Sequence, residues 1–514
     1  MRQQNTNNEL IKFSLLQKNP EQMKQCGVIY DLSADKLVRV ICPDVRKADY
    51  FLSELSKPLT TAENIIYRQE ILNDFAAIPK LFDEMKLVFH RYDNVKRDWR
   101  ELRTRAYPSG DTVNHRVLLE YTFDSLKATA IFPKTIISFY RSIEETLSKY
   151  DIKSEGLIKF KRYCGEMIGN NSLNEIASIA ALFQYHSPEN FDFGITAFLD
   201  ETLKLKFCDL CDISEHKETK NSGGILGNIF NNLNKKKNMP DGFQPVPDSG
   251  GETVDDALYI LNESLRHIDA ALSRITNDVY EIFYGISSEL QFYETALCFV
   301  NYLKERRLAF NFPKILACEA DTFIAKDIYD PLLIAEGVTK QDLIVNSVSL
   351  GGTDGGILIK GLNKTAKTAY LRAIGLTQLL AQAGLPVPAE SAEISIRNAV
   401  FSHFSAAEED FKGGDTAGRF EGEVQLIAGI VNELVPYSLL LLNETFQTTA
   451  YGEGTEGIFN ILSVLPCEKL KTKYIFVTRL NGLFDMMKDM NVIFIETGHD
   501  DGLYKTFDVS LRKK

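Results

Sequence analysis

Two segments of this chain carry residue types at spacings that suit work on a nucleotide. The first, GLNKTAKTA, covers residues 361–369. Gly361, four further residues, then Ala366, Lys367 and Thr368 follow the spacing of a loop whose backbone N–H groups and lysine surround the β- and γ-phosphates. Gly361, Asn363, Ala366, Lys367, Thr368 and Ala369 are therefore the candidate nucleotide-binding residues. Lys367 is expected to meet phosphate, and Thr368 to offer its hydroxyl to Mg²⁺. Ala366 departs from the pattern, because a glycine there permits backbone angles and a close approach that a Cβ resists. The second segment, YSLLLLNETF (437–446), is an apolar strand that ends on Asn443 and Glu444. In an acidic pair at such a place, the first member holds the Mg²⁺ shell and the second polarises the attacking water. Asn443 keeps a carbonyl oxygen without the charge, so metal retention is expected to be weak. Glu444 remains as the candidate catalytic base.

Such residues need a strand, a turn and a helix in that order. GILIK (356–360) precedes the loop, and KTAYLRAIGLTQLLAQA (367–383) follows it at helical spacing. From about Asp327 onward, LIVNSVSL, GILIKG, YSLLLLNE, KYIFVTRL and NVIFIETG alternate with helical stretches. That alternation predicts an α/β domain with a largely parallel sheet over 327–514. Upstream, the texture from about 60 to 310 is helical, and residues 56–326 are expected to form a helical core. Its last part, TVDDALYILNESLRHIDAALSRITNDVYEIFYGISSELQFYETALCFVNYLKERRLAF, has no proline and a single glycine. One helix of that length would span about 80 Å, the dimension of a lever or spacer. The stretch near 216–252 is rich in Gly, Asn, Pro and Lys and reads as a loop, with Lys235, Lys236 and Lys237 at a solvated tip. Cys208 and Cys211, with His216 beyond, are too few for a zinc site and read as two thiols at the end of a helix. Residues 1–55 are set aside as an N-terminal extension.

Bulk properties exclude several classes. Hydrophobic residues make up 44% and charged residues 25%, ordinary for a folded chain, and the formal charge of -12 gives no overall attraction to nucleic acid. The polar start MRQQNTNNELIKFSLLQ lacks a signal-peptide core, and no apolar run reaches the roughly 20 residues of a membrane helix. Eight scattered cysteines fit reduced thiols, so a cytoplasmic location without membrane partners is expected.

With their surroundings, these segments resemble the MutS family of DNA mismatch repair ATPases. SKPLTTAENIIYRQEILNDF (56–75) is similar to the start of that family's helical core, and the long helix to Leu308 resembles its lever arm. DLIVNSVSL resembles the entry into its ATPase sheet. GLNKTAKTAYLRAIGLTQLLAQAGLPVPAESAEI (361–394) is similar to its phosphate loop, following helix and VPA turn. The resemblance covers roughly 50–514 and is strongest from 330 on. It implies a multidomain protein: a long α-helical core and lever followed by an ABC-type P-loop ATPase domain.

In that family two ATPase domains pair head to tail, and each completes the other's site with a signature loop. GGDTAGRFEGEVQLIAGI (413–430) keeps Phe420 and Glu423, but Gly418-Arg419 stands where the serine region should be. The resemblance thus casts Arg419, Phe420 and Glu423 as signature residues acting in trans, with Arg419 or Thr416 as substitutes for the lost hydroxyl. A Thr-His pair senses the γ-phosphate in the family; here it is Thr478-Arg479, and arginine cannot shuttle a proton. Slow or absent hydrolysis is expected. The first 60 residues hold no Phe-x-Glu wedge, the DNA-gripping clamp is expected to be reduced, and no dimerisation tail is expected beyond the sheet. The resemblance implies DNA as partner, mismatched or branched, and a homodimer or heterodimer through the ATPase domain. Two other readings stay open: a non-catalytic scaffold that pairs with an intact homologue, and a nucleotide-regulated adaptor without a nucleic-acid role.

Overall fold

The computed structural model describes residues 13–103, 115–184, 191–199, 205–215, 252–360, 367–405, 416–446 and 451–496. Two compact units result. One combines Met1–Phe13, Lys80–Asp151 and Lys159–Ser287; the other combines Ser14–Pro79, Ile152–Ile158 and Ser288–Lys514. The helix Glu252–Glu305 runs for 54 residues and is shared between them.

The first unit is mainly helical. Helix Pro79–Arg103 opens on a proline, whose missing N–H is harmless in a first turn. Helix His115–Ser148 buries Leu119, Phe123, Leu126 and Ala130 against Leu265 and Leu272 of the long helix. Two polar stitches fix their register: Thr122 donates to Asn262 at 2.6 Å and Ser125 to Asp269 at 2.9 Å. Phe139 lies edge-on to both Phe89 and Phe283.

This unit corrects the uniformly helical reading of 60–310. Strand β1 (Phe191–Leu199) and strand β2 (Leu205–Glu215) form an antiparallel hairpin. Cys208 and Cys211 therefore lie on a strand, not at a helix end. Cys208 faces Ala197, and Cys211 falls at the register shift between the Gly194–Asp212 and Ile195–Leu210 pairs. The segment FDFGITAFL does carry a period of two, which a helix cannot use. His216, the loop near 216–252 and its three lysines lie outside the described residues, and no metal-binding cluster occurs among the described ones.

The second unit is built on two sheets. Their strands are β3 (Lys314–Leu316), β4 (Phe323–Ile328), β5 (Asn346–Leu350), β6 (Gly356–Lys360), β7 (Ser391–Ser395), β8 (Val400–Phe404), β9 (Leu439–Asn443), β10 (Lys473–Thr478) and β11 (Val492–Glu496). The five apolar runs picked out in the sequence correspond to β5, β6, β9, β10 and β11. Strands β11-β6-β10-β9-β8 form a wholly parallel sheet, and β3-β7-β4-β5 a mixed one. Strands β6, β9 and β10 are buried almost throughout, as GILIK, LLLLN and KYIFVT require of central parallel strands. One core cluster joins Leu358, Leu440, Leu442, Tyr474 and Phe476 with Ile458 and Leu462 of helix Tyr451–Val464 and with Leu483.

Helix Lys367–Gln382 follows β6 in the chain. A Cβ on its Gly375 would come within 2.6 Å of Leu32 and 2.7 Å of Leu441, so glycine lets the helix sit between them. The helix ends at Gly384, whose φ is +75°, with Gly384 N–H donating to Ala381 and Leu385 N–H to Leu380. The N-terminal residues are part of this unit. Leu59 exchanges hydrogen bonds with Gln382, Asp31 accepts from Ser402 at 2.6 Å, and the fully buried Arg68 donates to the Leu16 carbonyl.

Candidate functional site

In an open parallel sheet, ligands collect beyond the carboxyl ends of the strands. Register brings several sequence-predicted residues to that edge. Lys360 at the end of β6 lies opposite Thr478 of β10, and Val477 lies opposite Asn443 of β9. Gly361, Asn363 and Ala366 lie outside the described residues. Lys367 opens helix Lys367–Gln382 and is 5% exposed, with Thr368 and Ala369 in the same first turn. Unsatisfied N–H groups and the positive end of the macrodipole favour anions there.

Thr368 and Asn443 meet directly. The Thr368 hydroxyl donates to Asn443 Oδ1 at 3.3 Å, joining two elements far apart in sequence. Glu444, the next residue, has φ +55° and Phe446 has φ +62°. Each such non-glycine residue costs about 1–3 kcal/mol, so the turn needs support from its surroundings. Glu444 N–H donates to the Val477 carbonyl at 2.8 Å, which holds the backbone while the chain turns away. Its carboxylate is gripped by Arg479, one residue past β10. Nε donates to Oε1 at 3.1 Å, and Nη2 donates to Oε1 at 2.9 Å and Oε2 at 3.0 Å. The arginine side chain stays 47% exposed and the glutamate 30%. This fork uses both oxygens of the candidate base.

Comparison with known proteins places a known domain on this sheet. Residues 357–499 match the family model described as MutS domain V. Over these residues the chain carries a MutS domain V. It is 30% identical over 174 residues to a DNA mismatch repair protein MutS from Prochlorococcus marinus, covering 33% of this chain and 19% of that protein. The MutS of Microcystis aeruginosa is 34% identical over 148 residues, covering 28% of this chain and 16% of its own length. The MutS of Synechococcus elongatus is 29% identical over 231 residues, 41% of this chain and 25% of its own. The matched segment is thus a quarter or less of each of these relatives.

The residues expected to form a signature lie on the helix Thr416–Glu433, which holds Arg419 and Phe420 near its start; the side chains of these two lie outside the described residues. Glu423 is 6% exposed and works within its own chain. It accepts from the Ser405 hydroxyl at 2.5 Å and from Phe446 N–H at 3.1 Å. The second bond ties down one of the left-handed residues of the turn that presents Glu444. No spacing rule signals that role, because Ser405, Glu423 and Phe446 come from three separate elements.

The sequence reading also passed over His403. Its Nδ1 lies 2.9 Å from the Thr445 hydroxyl, beside Glu444 in the chain. Burial pushes its pKa down, and the charges of Glu423 and Asp31 only partly oppose that. The imidazole is therefore neutral at pH 7. A histidine inside VFSHF carries no motif, so only the fold could reveal it.

Proposed function

We propose that this chain is an ATP-binding MutS-type protein that acts with DNA and whose ATP hydrolysis is impaired. Lys367 and the first turn of its helix would hold the phosphates. The observation that carries the reading is the Arg479–Glu444 fork. A general base must reach the attacking water, and here both carboxylate oxygens face a guanidinium. Mg²⁺ is implied by the family, but the residues do not fit it well. It favours hard anionic oxygens, whereas Asn443 offers a neutral amide oxygen already taken by Thr368. No step is therefore assigned to a metal.

Single-turnover hydrolysis with full-length protein tests the reading. Bound ATP is expected to persist, and Glu444→Gln is expected to change the rate little. Fast turnover that vanishes in Glu444→Gln would sink it. The DNA role rests on the relatives, each named a DNA mismatch repair protein. Duplex, junction and single-stranded DNA are the substrates to try, with retention that falls as salt rises. Failure to retain any of them at low salt would remove DNA from the proposal.

The same fork favours a second reading, a non-catalytic scaffold. In it, nucleotide stabilises a head-to-tail dimer of ABC-type domains, and the long helix transmits the rearrangement. A partner with intact motifs would supply the working site. Co-purification with a homologue whose ATPase rate rises in the complex distinguishes the two. No helix among the described residues is long and apolar enough to cross a membrane. A cytoplasmic location completes the proposal.

A further inference from the structure

We infer that helix Thr416–Glu433 docks a helix of another protein, one whose apolar stripe is rimmed by Lys and Arg. Nothing in this docking requires a nucleotide.

Helical spacing gives this helix two apolar stripes where a surface helix needs one. Glu423, Ile427, Ile430 and Leu434 lie at i, i+4, i+7 and i+11 and form the first. Ile427 is buried in the core cluster of the parallel sheet, and Ile430 and Leu434 pack against it. Val424, Ala428 and Val431 repeat that spacing one residue further on. All three are exposed, Val424 by 40% and Val431 by 38%. A single exposed apolar residue is normal, as Leu426 is on the opposite flank. Three in register are the pattern that meets a second helix, and the small Ala428 at the middle permits close approach.

Charge selects the kind of helix. From Phe420 to Glu468 the chain holds no Lys, Arg or His, although Lys and Arg number 58 among the 514 residues. Glu421 and Glu433 on this helix are exposed, as are Glu453 and Glu456 on helix Tyr451–Val464. Both helices rest on the same core cluster, and among their described side chains every exposed charge is acidic. Such a surface repels phosphate and attracts a cationic rim. A second copy is disfavoured, because two of these helices crossing at Ala428 about a twofold axis would bring acids together at both ends.

The test is fluorescence anisotropy of the full chain with two labelled synthetic helices. They share one leucine stripe, rimmed by lysine in the first and by glutamate in the second. The lysine-rimmed helix is expected to bind at least about tenfold more tightly, with affinity falling as salt rises. Val424→Gln combined with Val431→Gln leaves the net charge unchanged and should weaken that binding at least about tenfold, whereas Leu426→Gln should leave it intact. Equal binding of the two helices overturns the inference, and so does binding that the double variant retains. A dimer of the unliganded chain that the double variant dissolves also overturns it, because a second copy then covers the stripe. Protection of Val431→Cys from a maleimide in the monomer does the same, because the chain's own residues then cover it. The comparison of the two helices needs only the wild-type chain.

Discussion

The two ends of β10 carry the same chemistry in opposite settings. At its start, Lys473 is 5% exposed and meets Asp321 Oδ2 at 2.9 Å, while Arg397, 1% exposed, donates to Asp321 Oδ1 at 2.6 Å. Lys473 also donates to the carbonyls of Gly352 and Asp354. One carboxylate thus anchors two buried cations. Just past its end, Arg479 holds Glu444 with both side chains partly exposed. A buried pair is costly to break, because each partner left behind is a charge in a poor solvent. An exposed pair contributes little to stability and can exchange partners. Burial, not residue type, separates a structural pin from a possible switch.

The sharpest way to break this comparison is Asp321→Ala. It strands two buried cations and is expected to cost about 3–5 kcal/mol in denaturant unfolding. A loss below 1 kcal/mol would show that the two ends are alike. Next comes Lys367→Met, expected to weaken nucleotide binding by about a hundredfold in calorimetry, the loss of charged hydrogen bonds to phosphate. Glu423→Ala should cost about 1–3 kcal/mol, since it removes the buried carboxylate that accepts from the Phe446 N–H and the Ser405 hydroxyl. That loss is read from the shift in melting temperature.

Arg479→Ala sharpens the contrast further. Unfolding free energy should change by about 1 kcal/mol or less. Single-turnover hydrolysis at saturating nucleotide should rise by about tenfold or more, because a freed base can act. A large stability loss with no gain in hydrolysis would make the fork a structural pin like its counterpart. The smallest effect concerns His403, whose pKa is lowered by burial. The unfolded chain then binds the extra proton first. Its contribution is fully present above the unfolded value near 6.5 and is lost as pH falls below it. Melting temperature should fall between pH 7 and 5 by more in the wild type than in His403→Asn.

Much of the sheet edge that carries the candidate site was legible from sequence. Continuous apolar runs such as LLLLN and KYIFVT are what central parallel strands demand, so β6, β9 and β10 stood out. Strands β3, β4, β7 and β8 did not, because they are only partly buried and carry no continuous apolar run. The hairpin of β1 and β2 was hidden inside a region otherwise set by long helices. The place of the N-terminal residues was equally hidden. Leu32 beside Gly375 and Leu59 beside Gln382 are contacts across more than 300 positions, which local patterning does not encode.

By itself the sequence determined the long helices, the central strands and the likeness to MutS over the C-terminal part: period, apolar runs and loop spacing are local properties. The resemblance also led us to expect Asn443 and Arg479 where that family has an acid and a histidine. Only the tertiary structure decided what the replacements do to each other. Glu444 and Arg479 meet because β9 and β10 pair in parallel with Asn443 opposite Val477, and because Glu444 turns left-handed at the strand end. Strand register and a strained turn are collective outcomes of the whole sheet, and no single segment carries them.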